Sequence, residues 1–313
     1  MNKKVTDINC FSSVAKFLEM LGVTQDELQT AIALGYRRYK VFKNGKFRYI
    51  EQPNDKLKTI SQKLLKFLQN NLDCPPYCMA GFKGQNNIKN ALRHKNKREV
   101  IAMDIAHYFP STKAEYIRQF FEETFEAQGE VLELLVKLTT YNNYLPTGAP
   151  TSSLLSCFAH KEIFDQIYTK MKACETDMTT FVDDITLSTN KHIGNWVISY
   201  INNLLKLHGL HLKKSKIKRF SYKYAVVTGI YIAQDGTLST PFKMCYSVIE
   251  TLKAKELSQM SKKELQKLIA KIAYIRLLQP NKFKTTQSKA IKLLKKIQKN
   301  EVKDVYNNAE YFE

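Results

Sequence analysis

Apolar residues recur at three- and four-residue spacing along most of this chain, and run together or alternate in only a few short stretches. Leu57, Ile60, Leu64, Leu65 and Leu68 share one face of a predicted helix over 57–72. Similar spacing predicts helices in roughly the first 35 residues and over 113–126, 129–140 and 192–208. Thr24-Gln25-Asp26-Glu27 and Ser261-Lys262-Lys263-Glu264 are capping boxes that start two of the helices. Tyr39–Lys43 and Lys46–Ile50 flank Asn44-Gly45, the strongest short-range signal for a β-hairpin. Leu145 to Ser153 is a Pro- and Gly-containing turn feeding a helix, with Thr151, Ser152 or Ser153 as its cap. Ala225 to Ile232 reads as a strand, followed by an Asp235-Gly236 turn and a short return strand.

Two further apolar runs end in acids. Val100-Ile101-Ala102-Met103 is closed by Asp104, and Phe181-Val182-Asp183-Asp184 is followed by Ile185-Thr186-Leu187-Ser188. The second segment predicts strand, two-residue turn, strand, with both carboxylates at the tip. Adjacent acids repel each other, and an acid at the end of a buried run costs desolvation energy unless something pairs with it. A solvated turn explains many Asp-Asp pairs. Two such strands side by side make a three-acid cluster, which suits a pair of Mg²⁺ or Mn²⁺ ions about 4 Å apart, the clamp used for nucleotidyl transfer.

Charge adds to this picture. The chain has 313 residues, with 49 Lys and Arg against 29 Asp and Glu, a net charge of +20. That excess predicts a nucleic-acid partner and salt-sensitive binding. No apolar run reaches the roughly 18 residues of a membrane span, and the first residues lack a signal-peptide core, so a cytoplasmic location without membrane contact is expected. The six cysteines make no zinc set: Cys74 and Cys78 are spaced almost correctly but have no second Cys/His pair nearby. From residue 236 onward the chain is helical and basic, with 16 Lys and Arg against 7 Asp and Glu. Its lysine-bearing faces read either as solvated surface or as nucleic-acid contacts. The hairpin cations Lys40, Lys43, Lys46 and Arg48 read equally as solvated surface or as a triphosphate or template clamp.

In this order, the motifs resemble those of the reverse transcriptases, specifically the bacterial retron type. The resemblance covers about residues 37–240. Arg48-Tyr49-Ile50-Glu51-Gln52-Pro53 and Ala80-Gly81-Phe82 resemble the two fingers motifs. Asp104 to Ser111 resembles palm motif A. Leu145 to Ser153 resembles the loop and helix under the incoming nucleotide, Phe181 to Asp184 the Tyr-x-Asp-Asp box, and Gly209 to Lys216 the lysine motif that follows. Asn90-Ala91-Leu92-Arg93-His94 matches the retron Asn-Ala-x-x-His insertion, and Val227-Thr228-Gly229 the retron Val-Thr-Gly motif. Phe181 stands where Tyr is usual, Thr147 where Gln is frequent, and Lys213 where Asn is common.

The resemblance implies an α+β fold of right-hand architecture. Fingers and N-terminal helices would occupy 1–100, a catalytic palm 101–235 and a basic helical thumb 236–313. It implies RNA-directed DNA synthesis, with Asp104, Asp183, Asp184 and the Ile105 carbonyl holding two Mg²⁺ that Mn²⁺ can replace. Arg48, Lys46, Phe109, Gly148, Ala149 and Lys216 would meet the dNTP, Phe109 as the gate against a ribose 2′-OH. Asn90, His94, Thr228 and Gly229 are the expected RNA contacts. The implied partners are a structured noncoding RNA serving as template and primer, its RNA-linked DNA product and an effector protein in anti-phage defence. An intron-type or other defence-type reverse transcriptase, or a silent RNA scaffold, are the alternatives.

Overall fold

The chain folds as two units, Met1–Ser221 and Tyr222–Glu313, of which the structure, a computed structural model, describes residues 8–43, 45–221 and 224–309. In the first, α1 (Val14–Leu21) and α2 (Gln25–Leu34) lead into the hairpin β1 (Tyr36–Lys43) and β2 (Lys46–Pro53). Next come α3 (Asp55–Asn71), α4 (Asn87–Arg93), β3 (Glu99–Asp104), the one-turn α5 (Tyr108–Ser111), α6 (Ala114–Phe125), α7 (Gly129–Thr139), α8 (Ser152–Ala159) and α9 (Lys161–Ala173). Strands β4 (Asp177–Phe181) and β5 (Asp184–Thr189), helix α10 (Trp196–Leu207) and β6 (Lys218–Ser221) complete it.

The central sheet has the order β4-β5-β3-β6, and every pairing is antiparallel. Ile101, Met103, Ile185 and Leu187 are buried in it, part of one continuous apolar core with the surrounding helices. Leu57, Ile60, Leu64 and Leu68 bury one face of α3 in the same core, as their spacing predicts. Thr24 and Glu27 exchange the two hydrogen bonds of a capping box at α2. This antiparallel α+β architecture agrees with the expected fold class.

Some boundaries differ from the sequence reading. Helix α10 begins at Trp196, not near 192, because the preceding backbone is held elsewhere: Ile193 donates its amide to Glu99, and Arg219 donates to the Ile193 carbonyl. None of Thr151, Ser152 or Ser153 caps α8 with its side chain. Ser152 instead donates to the Pro146 carbonyl at 2.6 Å, which closes the turn in front of the helix.

The second unit holds a three-stranded antiparallel sheet, β7 (Tyr224–Val227), β8 (Ile230–Ala233) and β9 (Leu238–Ser239), and the helices α11 (Phe242–Ala254), α12 (Lys262–Leu278) and α13 (Lys284–Ala309). Its own core gathers Cys245, Val248, Met260, Leu265, Leu268, Ile272, Ile275 and Ala290. Ser261 and Glu264 form the second predicted capping box. Leu293, Leu294 and Ile297 pack on this core, whereas Ile291 is exposed. No described helix is long and apolar enough to cross a membrane.

Candidate active site

Asp104 is the last residue of β3 and lies directly opposite Asp184, the first residue of β5. Antiparallel register alone therefore places two carboxylates side by side at one end of the sheet. Asp183 joins them from the turn between β4 and β5, where its carbonyl accepts the Ile105 amide at 2.8 Å. The other turn residue, Val182, has φ +58°. A β-branched side chain in the left-handed region is strained by about 1–3 kcal/mol, so the surrounding structure must impose that turn.

Burial shapes the electrostatics. Asp104 is only 8% exposed. Burial and the Asp104 charge raise Asp183 above the ordinary carboxylate range, an effect that Lys216 and Arg48 partly offset. Burial, Asp183 and Asp104 together push Asp184 up to about 7. Lys216 forms an ion pair with the Asp104 carboxylate, and the Lys213 amide donates to the Asp104 carbonyl at 2.8 Å. The lysine motif is thereby bound to the acid cluster by both side chain and backbone. Among the described residues, no group of three or more His, Cys, Asp or Glu side chains is drawn together tightly enough to hold a metal ion as it stands. The donors nonetheless suit one: they are hard oxygens whose mutual repulsion a divalent cation would relieve.

Other predicted residues surround this edge. Arg48 lies within electrostatic reach of Asp183. The Lys46 side chain lies outside the described residues, as does Asn44 of the predicted turn, though β1 and β2 pair in the register that a two-residue loop requires. Phe109 is half-buried beside Tyr108, whose hydroxyl donates to the Ser156 carbonyl and anchors α5 on α8. Gly148 has no space for a side chain, since an added Cβ would lie 2.3 Å from the Glu51 carbonyl oxygen. Ala149 is buried. Gly81 is similarly confined: it has φ +80°, and a Cβ there would meet the backbone of Leu154 in α8.

A reverse transcriptase (RNA-dependent DNA polymerase) family profile matches residues 40–232, more than half of the chain and all of this edge. The chain belongs to that family. Its relatives include the retron Se72 reverse transcriptase of Salmonella heidelberg (strain 579083-10), 27% identical over 245 residues, which are 74% of this chain and 65% of that protein. The retron Ec73 reverse transcriptase of Escherichia coli is 28% identical over 275 residues, 82% of this chain and 87% of that one. The chain thus spans just under two thirds of the Se72 protein and most of the Ec73 protein. These relatives bear out the likeness to bacterial retron-type reverse transcriptases. Among solved structures, the telomerase of Candida albicans, in complex with a fragment of telomeric RNA, aligns with a TM-score of 0.49 and 13% identity, over 82% of this chain and 56% of that one.

Two expected RNA contacts need correction. Asn90 and His94 are 0% and 1% exposed, so neither side chain is open to RNA. They bind the sheet instead. His94 Nδ1 is 2.7 Å from the Ser188 hydroxyl on β5, and Nε2 is 2.7 Å from the Thr179 hydroxyl on β4. Thr179 donates to the Asn90 side-chain carbonyl at 2.6 Å. Its one proton being spent there, Thr179 can only accept from Nε2–H, which leaves Nδ1 bare to accept from Ser188. Burial, the largest cause, pulls the His94 pKa down to about 3, so the ring is neutral. Thr228 and Gly229, by contrast, form the two-residue turn between β7 and β8, with φ +44° and +79°, and Gly229 is exposed.

His94→Ala is expected to cost about 3 kcal/mol of stability, because it leaves a cavity and a buried Ser188 hydroxyl without its acceptor. A histidine whose folded pKa is depressed stabilises the fold above its unfolded value near 6.5, and that contribution disappears as pH falls towards 3. Urea midpoints measured between pH 7 and 4 should therefore converge for the two proteins. A gap that stays constant with pH would contradict the neutral, buried ring.

Sequence reasoning also passed over Glu51. This carboxylate is 3% exposed and accepts the Thr147 amide at 3.1 Å. Its signals were its place in the Arg48–Pro53 motif and its being an acid in a strand of alternating cations and aromatics.

Proposed function

We propose that this chain is an RNA-directed DNA polymerase of the retron type, copying a structured noncoding RNA into DNA that stays linked to it. The observation that carries this reading is the β3–β5 register, which sets Asp104 against Asp184 with Asp183 in the adjoining turn. Asp104, Asp183 and Asp184 would hold two Mg²⁺, or Mn²⁺ in their place, with the Ile105 carbonyl as a further ligand. When bound, such ions lower the pKa of the attacking primer hydroxyl and neutralise the leaving pyrophosphate.

The chain's own residues supply the rest. Arg48, with Lys46, neutralises the triphosphate of the dNTP. Lys216, paired with Asp104 at rest, offers a further cation at the same edge. Gly148 and Ala149 let the nucleotide approach the loop backbone closely, and Phe109 excludes a 2′-OH. The exposed turn at Thr228 and Gly229 contacts the RNA, and the basic helices of the second unit act as a thumb gripping RNA stems through phosphates and shape. An effector protein working with this complex in anti-phage defence completes the retron reading.

Mg²⁺ is expected to raise the melting temperature more at pH 8 than at pH 6. With Asp184 held near 7, ionising the cluster costs the fold stability as pH rises through that value, and a bound cation restores it. At pH 6 the ion must first displace a proton. Scanning fluorimetry with and without Mg²⁺ reads this directly, and equal shifts at both pH values would count against the carboxylates as ligands.

DNA synthesis tests the reading itself. The purified protein, with the nucleic acid that copurifies with it, dNTPs and Mg²⁺, should yield RNA-linked DNA, and the Asp183→Asn/Asp184→Asn protein should yield none. No DNA from either protein, even with an added primer–template, would make the chain an RNA scaffold.

A further inference from the structure

We propose that Glu51 is a positioning residue that fixes the 144–149 loop for the incoming nucleotide from the neighbouring β2 strand. The inference rests on the polymerase reading above, and assigns to this chain a residue that reads in sequence as one more polar position of a strand.

A carboxylate at 3% exposure is costly unless its oxygens are satisfied. Glu51 satisfies them almost wholly with the loop. One oxygen accepts the Thr147 amide at 3.1 Å, and the other accepts the Tyr144 hydroxyl at 3.4 Å. Among the described residues, the only cation paired with it is Arg38, its cross-strand neighbour in β1, at 3.6 Å. Arg38 is 47% exposed and also sits 4.0 Å over the Tyr49 ring, so this weak, solvated pair does not account for the burial.

Backbone contact reinforces the carboxylate. Gly148 approaches the Glu51 carbonyl so closely that no larger residue fits. On its far side the loop is tied to the segment after Phe109: Leu145 donates to the Thr112 carbonyl at 3.0 Å, and Tyr144 bridges to Lys113. The loop is therefore suspended between the strand that carries Arg48 and the turn that carries Phe109. The side chain of Thr147 is exposed, and its backbone amide is the group held. Glu51 touches neither the three aspartates nor, on this geometry, the nucleotide. It acts through Thr147 and Gly148, so its loss should loosen nucleotide placement and leave the chemical step largely intact.

Steady-state dNTP kinetics on Glu51→Ala, Glu51→Gln and Gly148→Ala test the proposal. Glu51→Ala should raise KM for dNTP by about tenfold or more, with kcat changed less than about threefold. Glu51→Gln keeps an oxygen for the Thr147 amide and should stay within about threefold of wild-type KM. Gly148→Ala forces the two backbones apart and should raise KM as Glu51→Ala does. A dNTP KM unchanged in Glu51→Ala, a fall in kcat alone, or a Gln variant as impaired as the Ala variant would each overturn the assignment. Should Glu51→Ala fail to fold, the contrast between Glu51→Gln and Gly148→Ala decides it on the same terms. Hydrogen exchange at the Thr147 amide gives a readout that needs no polymerase activity. It should speed up in Glu51→Ala relative to wild type, and unchanged exchange would overturn the contact itself. A wild-type protein that makes no DNA while Thr147 exchange still responds would instead count against the polymerase reading.

Discussion

Asp183→Asn should reduce DNA synthesis by about 10³-fold or more and leave the protein at least as stable as before. The two halves of this expectation have one cause. Asn keeps the shape of the side chain and removes its charge. In the proposed mechanism Asp183 is a metal ligand, and losing such a ligand forfeits several kcal/mol of transition-state charge stabilisation, each 1.4 kcal/mol being a factor of ten in rate. In the resting fold the same charge is unwelcome: burial and Asp104 already raise the Asp183 pKa. A neutral isostere removes that penalty at pH 7–8, so the melting temperature should hold or rise. Single-turnover nucleotide incorporation and thermal unfolding on one preparation check both. Activity and melting temperature falling together would mean that the turn was damaged, and the rate loss could not be assigned to chemistry.

Phe109→Ala should narrow the preference for dNTPs over rNTPs by about 10²-fold, measured as the ratio of their kcat/KM values. Tyr108 is fully anchored through Ser156, so the adjacent ring is held in place on a rigid support. In the proposed role as a gate, a wall at that point would discriminate by steric clash with one hydroxyl, an effect on the scale of 10². Phe109 is only half-buried, and its truncation should therefore cost less stability than loss of a core phenylalanine. An unchanged ratio would reduce Phe109 to packing.

How much of this was legible in the sequence depends on the range of the interactions. The capping boxes, the amphipathic α3 and the hairpin tip with Asp183 are local, and local patterns reveal them. That Asp104 meets Asp184 is a matter of strand register across about 80 residues, for which the apolar runs give candidates but no pairing; here the family resemblance supplied what periodicity could not. Asn90 and His94 misled for a related reason. Their reading as RNA contacts came from the motif resemblance alone, and only the Thr179 and Ser188 hydroxyls on the sheet explain why those side chains turn inward. Glu51 was hidden among cations that suggested an exposed strand, because its partners, the Thr147 amide and the Tyr144 hydroxyl, lie nearly a hundred residues away. The late start of α10 has the same origin in Glu99 and Arg219, whose contacts with residue 193 leave no periodic trace.

The one-way hydrogen-bond chain from Ser188 through His94 and Thr179 to Asn90 also constrains how this protein can evolve. Each group has a fixed role as giver or receiver, so a change at one position leaves a mismatch at the next. Ser188→Ala, Thr179→Val or Asn90→Leu alone should each be disfavoured, while matched replacements at two or more of the four positions should be tolerated better than their separate costs imply. Across related sequences, then, these four positions should vary as a set. A homologue that has lost the histidine is expected to have lost the hydroxyls with it.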